Sequence, residues 1–165
     1  MRSQPANQAL FLMHYGFLEV KARSFLGPHN LAALWLIGYE EKPENSGEIT
    51  VFEIFGNDLQ LNADGINMAT IGQGIKKIHD PNLQDEFNRT TIFTDDGKWH
   101  IYAIDWRADG IRFYIDGQLT ASSTQSPHYP MQLMLNFYEL STPLTTSKAQ
   151  QPSCLEVDYI RCWER

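Results

Sequence analysis

The chain has 165 residues, 42% of them hydrophobic and 12% aromatic, which is enough for one domain with its own core and too apolar for a disordered segment. A formal net charge of −7 argues against nucleic acid and anionic membrane surfaces as partners, since both need a basic footprint. No run approaches the roughly eighteen apolar residues of a membrane span, and the opening Met1-Arg2-Ser3-Gln4-Pro5 has no apolar export core.

Alternating apolar and polar residues recur at 16–24, 32–38, 48–55, 66–78, 99–106, 111–116, 130–138 and 155–163, separated by Gly, Pro, Asn and Asp clusters. This pattern predicts a single antiparallel all-β domain over residues 1–165. No window sustains a 3.6-residue period, and one short helical turn is expected between Asp80 and Arg89. The pairs Asp64-Gly65, Asp96-Gly97, Asp109-Gly110 and Asp116-Gly117 supply residues that tolerate positive φ, as tight hairpins require.

The segment Glu48-Ile49-Thr50-Val51-Phe52-Glu53 places two carboxylates in an apolar strand. Residues five apart point to opposite faces of a regular strand, so Glu48 and Glu53 share a face only if one extra residue breaks the alternation. A β-bulge at Val51-Phe52 does so, and the paired carboxylates are then what a retaining glycosidase uses as nucleophile and acid/base. The competing reading is an edge strand with two solvated glutamates.

Alternation also puts His100, Tyr102, Ile104 and Trp106 on one face of their strand. Read as a cleft face, it offers a histidine to a carboxyl group and an indole to the flat face of a sugar. The alternative is that Trp106 is core and His100 a satisfied surface residue. Gln132, Asn136 and Tyr138 share a face of a later strand and form a polar ladder suited to sugar hydroxyls, or an ordinary solvated surface. Trp35, inside an apolar run, is read as core. His14, His29, His79 and His128 show no metal-ligand spacing. Cys154 and Cys162, eight positions apart on one predicted strand, lie about 26 Å apart if extended and are expected to be unbridged. Asn88-Arg89-Thr90 fits a glycosylation pattern that arises often by chance.

Taken in order, Tyr15 to Arg23, Ala33 to Gly38, Ser46 to Gly56, Trp99 to Trp106 with Gly110 to Gly117, and Pro130 to Asn136 with Glu156 to Arg161 resemble the paired strands of glycoside hydrolase family 16. The resemblance covers about 145 residues and is closest to the laminarinase-like, bulged form of the active-site motif. It implies a concanavalin A-like jelly-roll β-sandwich and retaining endo-hydrolysis or transglycosylation of a β-linked polysaccharide such as a β-1,3-glucan. Glu48 would be the nucleophile and Glu53 the acid/base; His100, Trp106, Asn136 and Gln132 would meet substrate. Thr50 stands where the family has an aspartate, and Pro43-Glu44-Asn45 where laminarinase-like members often carry a tryptophan. The alternative is a carbohydrate-binding or structural sandwich with a degenerate site. No cofactor is required. Asp158 matches a residue that family members direct toward a structural calcium, whose N-terminal ligands have no counterpart here. The chain is expected to be N-terminally short relative to the family, and monomeric.

Overall fold

Eleven strands, eight of them on the alternating segments, form the fold in a computed structural model that describes residues 9–39, 41–94, 97–140 and 153–164. They are β1 (Gly16–Phe25), β2 (Asn30–Gly38), β3 (Glu48–Phe55), β4 (Leu59–Leu61), β5 (Asn67–Lys76), β6 (Glu86–Phe93), β7 (His100–Arg107), β8 (Gly110–Ile115), β9 (Gln118–Ser123), β10 (Met131–Glu139) and β11 (Cys154–Trp163). The only helical element among the described residues is a 3-10 turn at Gly56–Asp58. Among the described residues no helix is long and apolar enough to cross a membrane.

The strands form two antiparallel sheets. One has the order β11-β1-β7-β8-β9, the other β10-β2-β3-β5-β4, with β6 on the remaining edge of β5. Inward residues of the first sheet, among them Leu18, Val20, Tyr102, Ile104, Trp106 and Phe113, meet Leu34, Leu36, Ile49, Phe52, Ile71 and Ile75 of the second. Removing these side chains from water is the main favourable contribution to the sandwich. The outer face of the second sheet carries the candidate site.

Two expectations change. Asp80 to Arg89 holds no helical turn; the chain passes through turns and enters β6 at Glu86. An unfilled edge of β5 offers eight paired positions, from Met68 with Phe93 to Ile75 with Glu86, and backbone groups left there would otherwise need other partners. The strands β4 and β9 were also outside the predicted set, although the turn before β9 was within it: Asp116 and Gly117 have φ of 50° and 76°, the two positive values of a type I′ hairpin. Asp96 lies outside the described residues. Cys154 and Cys162 sit at opposite ends of β11, opposite Phe25 and Leu18 of β1, and both are free thiols.

Candidate active site

The register of β3 breaks where the sequence places an extra residue. Against β5, Thr50 pairs with Gly74 and Glu53 with Gly72, so Val51 and Phe52 together oppose Gln73. Against β2, Trp35 pairs with Thr50 and Leu34 with Phe52, leaving Val51 unpaired. Val51 and Phe52 are both fully buried, so two consecutive side chains enter the core and Glu53 returns to the outer face with Glu48 and Thr50. The Phe52 ring anchors the bulge against Tyr102 of the other sheet, with centroids 4.6 Å apart.

A bulge frees a carbonyl that must find a donor. Here Gln73, 1% exposed, donates from Nε2 to the Val51 oxygen at 2.8 Å and accepts from the Thr120 hydroxyl at 2.6 Å. Alternation with Ala69, Ile71 and Ile75 puts Gln73 on the core face of β5, and a polar residue there, opposite the bulge, is the one clue to its role.

The other end of the motif is fixed from below. Tyr129 accepts from the Gly47 N–H at 2.8 Å and donates to Asp80 at 2.7 Å. Burial, then the bond to Asp80, pushes the Tyr129 phenol above its ordinary range. A Cβ at Gly47 would lie 2.5 Å from both the Tyr129 oxygen and a Leu83 methyl, so only glycine lets the chain enter β3 here.

Cross-strand pairing arranges the outer face in rows. Gln132, Ile37, Glu48 and Lys76 form one; Met134, Trp35, Thr50 and Gly74 the next; Asn136, Ala33, Glu53 and Gly72 the third. The rows of the two glutamates are four residues apart on β2, about 13 Å between Cα positions, and the side chains close that gap by converging. Lys76 Nζ lies 3.9 Å from Glu48 Oε2 and 3.3 Å from Glu53 Oε2. The carboxylates are 16% and 17% exposed, and they line one cleft with Thr50, Lys76, Trp35, Leu31, Ala33 and Tyr138. Burial pushes the Glu48 carboxyl above its usual range, with Lys76 opposing and Glu53 and Asp85 adding to the rise.

Glycine at position 72 opens space for the Phe87 ring. A Cβ there would lie 2.5 Å from the Phe87 ring, and the same ring sits 4.9 Å from Lys76 Nζ. Trp35 is half-buried on the opposite side, its Nε1 donating to Asn136 Oδ1 at 2.7 Å. Trp35 is therefore a cleft residue and not the core residue expected from its apolar run. The run is apolar on both faces because β2 is a central strand whose outer face is the cleft. Asn136 lies in the row of Glu53 and orients the indole; Gln132, in the row of Glu48, is exposed.

His100 and Trp106 do not join this cleft. Their strand belongs to the other sheet, and the face they share points inward. Trp106 is 0% exposed and donates to Ser126 Oγ at 2.9 Å. His100 bonds through Nδ1 to Asp116 at 2.7 Å, and its Nε2 is buried without a partner among the described residues. Alternation groups residues correctly but is silent on which layer a face meets. Asp158 is engaged by Lys21 at 2.7 Å, and among the described residues no cluster of three or more His, Cys, Asp or Glu side chains is placed to hold a metal ion.

The family model for glycosyl hydrolases family 16 matches residues 2–161. A beta-glucanase of Bacillus licheniformis is 42% identical over 41 residues, 24% of this chain and 17% of that protein. The endo-β-galactosidase of Clostridium perfringens that releases GlcNAcα1-4Gal superposes with a TM-score of 0.71 at 23% identity, over 93% of this chain and 39% of that one. The catalytic domain of an endo-1,3-beta-glucanase (laminarinase) from Thermotoga petrophila gives 0.65 at 24% identity, over 93% and 65%. The chain thus spans less than two thirds of these two solved chains, and at such identities the likeness is one of fold.

Proposed function

This chain belongs to glycoside hydrolase family 16, and from that premise we propose that it cleaves a β-linked polysaccharide with retention, Glu48 acting as nucleophile and Glu53 as acid/base. The observation that carries the reading is the convergence of Glu48 and Glu53, from rows about 13 Å apart, onto one ammonium in one cleft. Two carboxylates on one face are the minimum apparatus for double displacement. Glu53 gives its proton to the leaving oxygen as Glu48 bonds to the anomeric carbon and the glycosidic C–O bond breaks. Glu53 then takes a proton from water as that water displaces Glu48. Trp35 supplies flat apolar surface in the cleft, which suits the C–H faces of pyranose rings. Laminarin-like β-1,3-glucan is the first substrate to try, since a laminarinase domain shares the fold.

A second reading, a glycan-binding sandwich without turnover, is favoured by one specific feature. Thr50 leaves the centre of the cleft without the family's aspartate, while Lys76 adds a cation beside both glutamates. Incubation with a panel of β-1,3-, β-1,4- and mixed-linkage glucans and galactans separates the two. Release of oligosaccharides that is lost in Glu48→Gln and Glu53→Gln supports hydrolysis. Binding of a glycan without any release supports the module.

A further inference from the structure

Lys76 comes from β5, one strand away from the glutamate motif, and nothing in the two-carboxylate mechanism calls for a cation there. Its ammonium donates to Glu53 at 3.3 Å and stands 3.9 Å from Glu48, with the face of the Phe87 ring 4.9 Å away. We infer that Lys76 is a positioning residue of the candidate site, holding both carboxylates at rest and setting the pH above which the pair loses the proton that glycoside cleavage needs. The inference rests on the hydrolase reading and goes beyond it, because it assigns the pH range of the site to a residue outside the motif.

The physical argument is one of coupled charges. Two carboxylates sharing a face repel each other, so the pair retains one proton to higher pH than a lone carboxylate would. A cation between them removes most of that repulsion and favours the doubly ionised pair. Among the described residues no other cation acts on Glu48. Arg89, on β6, is turned to Asp58, while β2 and β10 present Trp35 and Tyr138. The one further charge acting on Glu48 is Asp85, from the loop between β5 and β6. Thr50, at the centre, contributes none. Among the charges, Lys76 is the main one opposing the rise that burial causes at Glu48; its side chain is 35% exposed, so water weakens its effect without abolishing it.

The Lys76 ammonium bonds Oε2 of Glu53, so the proton for the glycosidic oxygen would sit on Oε1. After donation the ammonium faces a newly formed carboxylate.

The test compares Lys76→Met, which removes the charge and keeps the stem, with Lys76→Arg, which keeps the charge; Lys76→Gln replaces the first if it fails to fold. Profiles of kcat/KM against pH on the best substrate of the glycan panel are expected to show the basic limb of Lys76→Met moved upward by about one pH unit. Lys76→Arg should stay within a few tenths of a unit of the parent. In parallel, the carboxyl carbons of the glutamates are followed by NMR through a pH titration, which needs no turnover. The pair should take up its first proton at higher pH in Lys76→Met. Equal shifts in the two variants, or no shift in Lys76→Met, overturn the inference. A chain that hydrolyses nothing while the NMR titration still shifts overturns the hydrolase reading and leaves the role of Lys76 in the pair standing.

Discussion

Replacing Gln73 by Leu tests whether the bulge is held by the bond from its amide to the Val51 carbonyl. Leucine fills nearly the same volume, so the main loss is the donor to a buried oxygen 2.8 Å away. The Thr120 hydroxyl also loses an acceptor, but it keeps the Phe113 carbonyl at 3.1 Å. Leaving one buried carbonyl unsatisfied costs about 1–3 kcal/mol. For a domain of this length, a loss near the middle of that range lowers the melting temperature by about 4–8 °C. A second effect should be larger on activity than on stability. Val51 is the residue that turns Glu53 back to the outer face, and a misplacement of about 1 Å costs on the order of 100-fold in rate. Denaturant unfolding and kinetics on the same preparation read both effects, with Thr120→Val as the control that spares the bulge. If Gln73→Leu unfolds within about 0.5 kcal/mol of the parent and turns over normally, the amide is not what holds the two glutamates together.

Thr50→Asp restores negative charge at the buried centre of the cleft, and turnover should rise with the basic limb of the pH profile moving upward; an unchanged rate and profile would show that Thr50 does not limit the site. Glu48→Gln should abolish hydrolysis yet stabilise the fold near pH 7. Burial raises the Glu48 carboxyl above its ordinary value of 4.5, so the folded state holds that proton more tightly than the unfolded chain does. The contribution of Glu48 is thus favourable below the ordinary carboxylate range and is lost as pH rises through the raised value. Melting curves should show the advantage of the variant shrinking toward zero below about pH 4; an advantage independent of pH would contradict burial as the cause. Trp35→Ala should weaken glycan binding by about 10-fold or more through lost stacking area, measured as KM or by calorimetry; unchanged affinity would remove Trp35 from the substrate face.

The strand pattern and the paired glutamates were legible because both rest on local rules. Period-two alternation exposes a sandwich strand even without neighbours, and the spacing of Glu48 and Glu53 requires a bulge if the two are to meet. What was not legible depends on layers and partners. His100 and Trp106 were grouped correctly with each other, yet only the packed sandwich reveals that their shared face meets the core. Trp35 was hidden by the reverse effect, a cleft lined by an apolar side chain in a run that reads as interior. Lys76, Gln73 and Phe87 come from strands outside the motif, and their relevance lies in cross-strand register, which a single sequence does not state. The Gln73 bond in particular spans 22 positions.

The role of the two carboxylates is tested most directly by mass spectrometry of Glu53→Gln incubated with an aryl β-glycoside whose leaving group departs without acid assistance. With the base that activates water removed, the account predicts that a glycosyl adduct accumulates and that its mass maps to the peptide carrying Glu48. An adduct on any other residue would contradict the assignment of Glu48 as nucleophile. So would the absence of any adduct from a variant that still releases the leaving group.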